Sequence, residues 1–135
     1  MKTYTFFEDA GHGWLAVPIK DILKAGIKDK ISGYSYSDRT RVYLEEDGDL
    51  SLFMNAAPAF NQKRSYSENS KVRSLCDYKP EFCRVIKEGD KVKLYSGEGA
   101  TIRKVYGKWS LFGDFGKLYK LPASNPFKYI QQFLN

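Results

Sequence analysis

The chain has 135 residues, of which 42% are hydrophobic, 16% aromatic and 28% charged, and its formal net charge is +6. That length fits one ordinary domain or two very small ones and buries roughly two-thirds of the unfolded chain's surface. The composition fits neither a disordered tail nor a membrane protein, since no apolar run approaches the roughly 20 residues that cross a bilayer.

The segment TYTFF at 3–7 is β-branched and aromatic and GWLAV at 13–17 resembles a second strand, so EDAGH between them reads as the loop of a hairpin. Gly11 and Gly13 then serve a turn that needs positive φ. Glu8 and Asp9 interrupt the N-terminal stretch before a signal-peptide core can form, which makes the cytosol the expected compartment. In PIKDILKAG, Pro18 suits a first helical turn, Ile19, Ile22 and Leu23 fall on one face, and Gly26 stops the helix. After the Ser- and Tyr-rich loop ISGYSYSD, RTRVYLEE alternates as a strand, with Val42 and Leu44 facing one way and Tyr43 and Glu45 the other. The turn EDGD follows, where Asp47 or Asp49 caps a helix LSLFMNAAPAF. Leu50, Phe53, Met54 and Ala57 share a face of that helix, and Pro58 ends or kinks it. A strand near 62–67 completes an α+β unit.

From Arg84 onward the chain breaks into short strand-like pieces separated by glycine turns, the pattern of a β-meander closing into a small SH3-like barrel. Ile102 and Val105 are out of phase, so a bulge or a strong bend is expected between them. SNPFKYIQQFLN is expected to form a terminal helix from Pro126, capped by Ser124 or Asn125, with Phe127, Ile130 and Phe133 or Leu134 inward. The organisation predicted is therefore α+β: a hairpin and helix unit over 1–75 and a small barrel with a C-terminal helix over 82–135, with the boundary near 68–83.

Cys76 and Cys83 form no C-x-x-C pair and meet no second histidine, so a zinc site of ordinary ligands cannot be assembled. Free, packed thiols are expected. His12, the one histidine, reads in two ways. Between two glycines and before Trp14 it shapes and covers the hairpin turn. Alternatively it joins Glu45, Glu46 and Asp47 in a metal-dependent hydrolase acting on nucleic acid. The cluster Glu45, Glu46, Asp47 and Asp49 also reads as helix capping or as an acidic docking surface. Twelve residues from Asp47 lies Pro58 and no bidentate glutamate, which excludes an EF-hand. Phosphate-loop, nucleophile-elbow and dinucleotide signatures are missing, and no cofactor is expected.

Charge is uneven along the chain. Residues 1–60 hold seven Lys or Arg against nine Asp or Glu, net −2, whereas 61–135 hold fifteen against seven, net +8. In the second half Lys91, Lys93, Arg103, Lys104, Lys108, Lys117 and Lys120 interleave with aromatics that include Trp109 and Tyr119. Cations neutralise phosphates and aromatic faces stack on bases, so these residues are the candidate nucleic-acid or partner interface. The bland alternative is a barrel with an aromatic core and solubilising lysines.

DAGHGWLAV, then the ISGYSYS loop, then VYLEEDGD leading into a helix, together resemble an uncharacterised family of short phage and plasmid-borne proteins over about residues 3–75. The family pattern carries Pro and Cys where this chain has Ala10 and Gly48. The resemblance implies a mobile-element origin and no particular chemistry. With the charge pattern it leads to an expected function: a non-enzymatic protein, in the host cytoplasm, that occupies either nucleic acid or a nucleic-acid-handling host protein such as a defence nuclease, with no membrane partner. The sequence leaves the oligomeric state open.

Overall fold

A computed structural model of the chain describes residues 1–114, 118–119 and 126–134. The fold is α+β. The chain divides after Val85 into two units, Met1–Val85 and Ile86–Asn135.

In the first unit the expected hairpin forms: β1 (Thr3–Glu8) runs antiparallel to β2 (Gly13–Pro18), with Thr5 opposite Ala16. Helix α1 (Ile19–Ala25) follows at once and ends at Gly26, whose φ of 71° only glycine adopts without strain. Ile19 and Ile22 are buried, but Leu23, expected on the same face, is exposed. A helix of two turns presses a narrow stripe inward, and Leu23 lies about 100° round from Ile22. Next come β3 (Tyr36–Ser37), β4 (Arg41–Glu45), α2 (Asp49–Ala56), β5 (Asn61–Tyr66) and β6 (Cys76–Asp77). Phe53 anchors α2 in the core while Leu50 and Ala57 are half-buried, and Met54, predicted inward, is exposed.

The six strands pair in the order β5-β1-β2-β4-β3-β6. β5 is parallel to β1 and every one of its residues is exposed. Alternation along β1, β2 and β4 sends Tyr4, Phe6, Leu15, Val17, Val42 and Leu44 to the main core with Ile22 and Phe53. Trp14, Ala16 and Tyr43 go to the other face, where Val72 covers them. Residues 76–85, placed at or beyond the expected boundary, belong to this unit. β6 pairs with β3, Tyr78 and Cys83 pack in the main core, and the buried Tyr78 hydroxyl donates to the Lys28 carbonyl at 2.5 Å. Both thiols are free, and burial pushes the Cys83 thiol up from its ordinary pKa.

In the second unit β7 (Lys91–Leu94), β8 (Gly99–Val105), β9 (Lys108–Gly113), β10 (Leu118–Tyr119) and β11 (Ile130–Phe133) pair in the order β10-β9-β8-β7-β11. Among the described residues no pairing of β10 with β11 closes a barrel. The terminal helix is not formed. One 3-10 turn at Pro126–Tyr129 gives way to β11, because β7 would otherwise leave a row of backbone groups unpaired and the run from Ile130 to Phe133 pairs with it. Phe127 and Ile130 are buried as expected, Leu134 is exposed, and the proposed caps Ser124 and Asn125 lie outside the described residues. The predicted bulge in β8 is also absent. Its register with β9 runs unbroken from Ala100 opposite Gly113 to Val105 opposite Lys108, so Ile102 and Val105 simply face opposite sides. The β8–β9 turn places Tyr106 and Gly107 at φ 51° and 77°, the paired positive values of a type I′ hairpin.

Candidate functional site

The opening loop is closed by one carboxylate. Asp9 accepts from the backbone N–H groups of Gly11 and His12, each at 2.9 Å, while its own N–H donates to the His12 carbonyl at 2.9 Å. From a 3-10 turn at Lys71–Ser74, Arg73 adds Nε at 2.7 Å and Nη2 at 3.2 Å. The Arg73 hydrogen bond, with those from the loop amides, holds the Asp9 carboxyl well below the usual carboxylate range. The same guanidinium lies 5.2 Å from the Trp14 ring, which is 3% exposed and meets Tyr36 edge-on at 6.0 Å.

His12 contributes its backbone to this turn, while its exposed imidazole sits 6.1 Å from Trp14. Trp14 is thus packed beneath the loop, and the ring of His12 covers little. Neither Gly11 nor Gly13 has positive φ, contrary to expectation. Gly13 is required for another reason: a Cβ there would penetrate the Phe6 ring.

The acidic turn is organised by hydrogen bonds as well. Glu45 accepts from the N–H of Asp47 at 2.8 Å and of Asp49 at 3.0 Å, which satisfies donors at the start of α2. The cap position itself is Gly48, so neither Asp47 nor Asp49 caps the helix. Asp49, 4% exposed, turns inward and accepts from the Ser32 N–H at 3.1 Å, the Ser32 hydroxyl at 2.7 Å and the Ser35 hydroxyl at 2.6 Å. Ser35 Oγ in turn accepts from the Glu45 N–H at 3.0 Å. Of the four predicted docking carboxylates, only those of Glu46 and Asp47 belong to exposed residues.

These segments meet around a cleft of about 550 Å³ whose walls include His12, Trp14, Tyr34, Tyr36, Asp47 and Arg73. All three sequence motifs contribute to it. His12, Glu45 and Asp47 line the same cleft, yet Glu45 is occupied by two amides. Among the described residues no three His, Cys, Asp or Glu side chains are arranged to hold a metal ion. Sequence reasoning missed Arg73, Ser32 and Ser35. The Ser-Tyr loop was visible as a motif, and KVRSLCDY at 71–78 resembles a closing Ile-Arg-x-Tyr segment of the same family, but nothing local paired the loop with Asp49 or Arg73 with Asp9.

The candidate cations of the second unit are sorted by strand register. Residues directly opposite one another share a face, so Lys91 and Lys93 on β7, Arg103 on β8 and Lys108 on β9 lie on one side, with Thr101, Ser110 and Phe112. Lys104 and Trp109 lie on the opposite, core side. There the Lys104 ammonium sits 4.6 Å over the Trp109 ring, and Trp109 packs edge-on against Phe127 at 5.7 Å. Trp109 is therefore not a free stacking platform. Lys91 donates to Thr101 Oγ1 at 2.8 Å, whereas no carboxylate among the described residues pairs with Lys93, Arg103 or Lys108. Lys117, Lys120 and the side chain of Tyr119 lie outside the described residues.

Division after Val85 also redraws the charge pattern. Thirteen Lys or Arg against twelve Asp or Glu leave the first unit at +1, while nine against four leave the second at +5. The expected acidic half is thus close to neutral, because Lys63, Arg64, Lys71, Arg73, Lys79 and Arg84 fold with it. No family model, curated protein or solved structure matches this chain.

Proposed function

We propose that this is a non-enzymatic binding protein of phage or other mobile-element origin, and that its second unit, an SH3-like module, occupies nucleic acid in the host cytoplasm. One observation carries the reading: Lys93, Arg103 and Lys108 stand on one face of the β7–β8–β9 sheet and, among the described residues, form no ion pair with a carboxylate, in a unit of net charge +5. Cations held in no ion pair on one face of a paired sheet suit a phosphate backbone, whose condensed counterions are released on contact. With Trp109 covered by Lys104, contacts on this face go to phosphates, and binding is insensitive to base sequence. The acidic turn supports the other target, a nucleic-acid-handling host protein, less well, since Glu45 and Asp49 are committed to internal hydrogen bonds.

Fluorescence anisotropy with labelled single-stranded and duplex oligonucleotides tests this. Between about 50 and about 200 mM salt the affinity should fall by about one to two orders of magnitude, as three or four neutralised phosphates require. Absence of binding at low salt would sink the nucleic-acid reading, and retention of a host protein from lysate would then favour the other target. Cleavage of the oligonucleotide with Mg²⁺ or Mn²⁺ present would overturn the non-enzymatic one.

A further inference from the structure

The first unit contains a second cavity, of about 530 Å³, which shares no lining residue with the motif cleft. It opens where β1, α1, α2 and the 57–60 loop meet. Its floor is a set of three aromatic rings: Phe53 lies 5.5 Å from Tyr4 and 5.3 Å from Phe60, and Tyr4 meets Phe60 edge-on at 5.1 Å. Ala25, Ala56 and Pro58 add further apolar wall. Against this apolar lining stands one buried charge, Asp21 of α1, which is 7% exposed.

Asp21 is held in its ionised form. Burial opposes ionisation, but hydrogen bonds from Lys2 and Tyr4 prevail and keep its carboxyl below the ordinary value. Lys2 Nζ donates to Oδ1 at 2.8 Å and the Tyr4 hydroxyl to Oδ2 at 2.8 Å. The two donors differ in kind. Tyr4 is fixed in the core, and burial together with Asp21 pushes its hydroxyl up to about 12. The Lys2 side chain is 57% exposed, so its ammonium reaches the carboxylate from solvent on a flexible stem. Two donors also leave the carboxylate with acceptor capacity, since it offers about four lone-pair directions.

We propose that this cavity is a binding site for a small amphipathic amine, whose ammonium takes the place of Lys2 on Asp21 and whose apolar body lies against Tyr4, Phe53 and Phe60. A buried carboxylate beside aromatic rings selects a cation over a neutral or anionic head group, through charge and through attraction to the ring faces. The volume falls in the range of about 300–1,000 Å³ that accommodates small ligands. Lys2 acts as an internal competitor for the carboxylate, and Lys24 is the other lysine along the lining. The site uses no residue of the β7–β9 face, so its fate is independent of the nucleic-acid reading.

Calorimetric titration with phenethylamine, phenethyl alcohol and phenylacetate tests the assignment on the full chain. The amine should bind saturably and in preference to both analogues. Lys2→Ala should strengthen amine binding several-fold by removing the competitor. Asp21→Asn, which keeps an acceptor for Tyr4, should weaken it at least about tenfold. No saturable amine binding by either the native chain or Lys2→Ala, equal affinity for amine and alcohol, or no gain in Lys2→Ala would each overturn the proposal. If Asp21→Asn does not fold, Lys2→Ala and the comparison of amine with alcohol decide it.

Discussion

Arg73 and Asp9, 64 residues apart, form a two-point ion pair that fastens the 3-10 turn at Lys71–Ser74 to the loop between β1 and β2. The carboxylate side chain is 6% exposed and also receives the loop's own amides, so one acceptor fixes both the loop and its cover over Trp14.

The pair makes stability depend on pH in a stated direction. The folded pKa of Asp9 is depressed, so its contribution is present above the ordinary value of 3.8 and is lost as pH falls below that value toward the folded one. Thermal melts from about pH 6 to about pH 2 should show a falling Tm, and Asp9→Asn should flatten the part of that fall below about pH 4. An unchanged profile in Asp9→Asn would mean that other carboxylates carry the acid sensitivity.

His12→Ala should change stability by no more than about 0.5 kcal/mol, because the exposed imidazole lies outside the backbone bonds that close the turn. Trp14→Ala should cost about 3–5 kcal/mol, the range for an aromatic removed from a packed cluster. Urea denaturation followed by far-UV circular dichroism measures both.

Gly13→Ala forces a methyl group against the Phe6 ring in the main core and should destabilise by about 1–3 kcal/mol. Gly11→Ala meets Arg73 Nη2 at 3.4 Å and Asp9 Oδ1 at 3.8 Å, both ordinary contact distances, and should be tolerated. Equal behaviour of the two variants would show that Phe6 moves aside at little cost.

In the acidic turn, Asp49→Ala removes the acceptor for Ser32 and Ser35 and should cost about 2–3 kcal/mol, as loss of a buried charged acceptor does. Asp47→Ala, at an exposed position, should stay within about 0.5 kcal/mol. The two midpoints in guanidinium titrations separate structural from solvent-facing carboxylates.

Replacing Lys93, Arg103 and Lys108 together by Gln should reduce the slope of log affinity against log salt by about 2 in single-stranded nucleic acid, at about 0.7 per phosphate. Lys104→Gln should leave that slope unchanged, since its ammonium covers Trp109 on the other face. A triple variant with native affinity and slope would remove the β7–β9 face from the binding reaction.

Local chemistry determined much of the framework. The hairpin over 3–17, α1 with its stop at Gly26, and the β4 alternation that sends Val42 and Leu44 to one core and Tyr43 to the other all follow from neighbours within a few residues. Steric preference and periodicity act at that range and are written in consecutive letters. Tertiary structure decided the rest. The partner of an Asp9 or an Asp49 is set by which loops the sheet brings together, and Arg73, Ser32 and Ser35 answer them from 64, 17 and 14 positions away. The residues from Ile130 to Phe133 became a strand because the edge of β7 offered unpaired backbone groups, a demand that no propensity within the segment encodes. The sorting of Lys93, Arg103 and Lys108 from Lys104 likewise needed the register of β8 against β9: a count of lysines is a property of sequence, but the face each one occupies is a property of pairing.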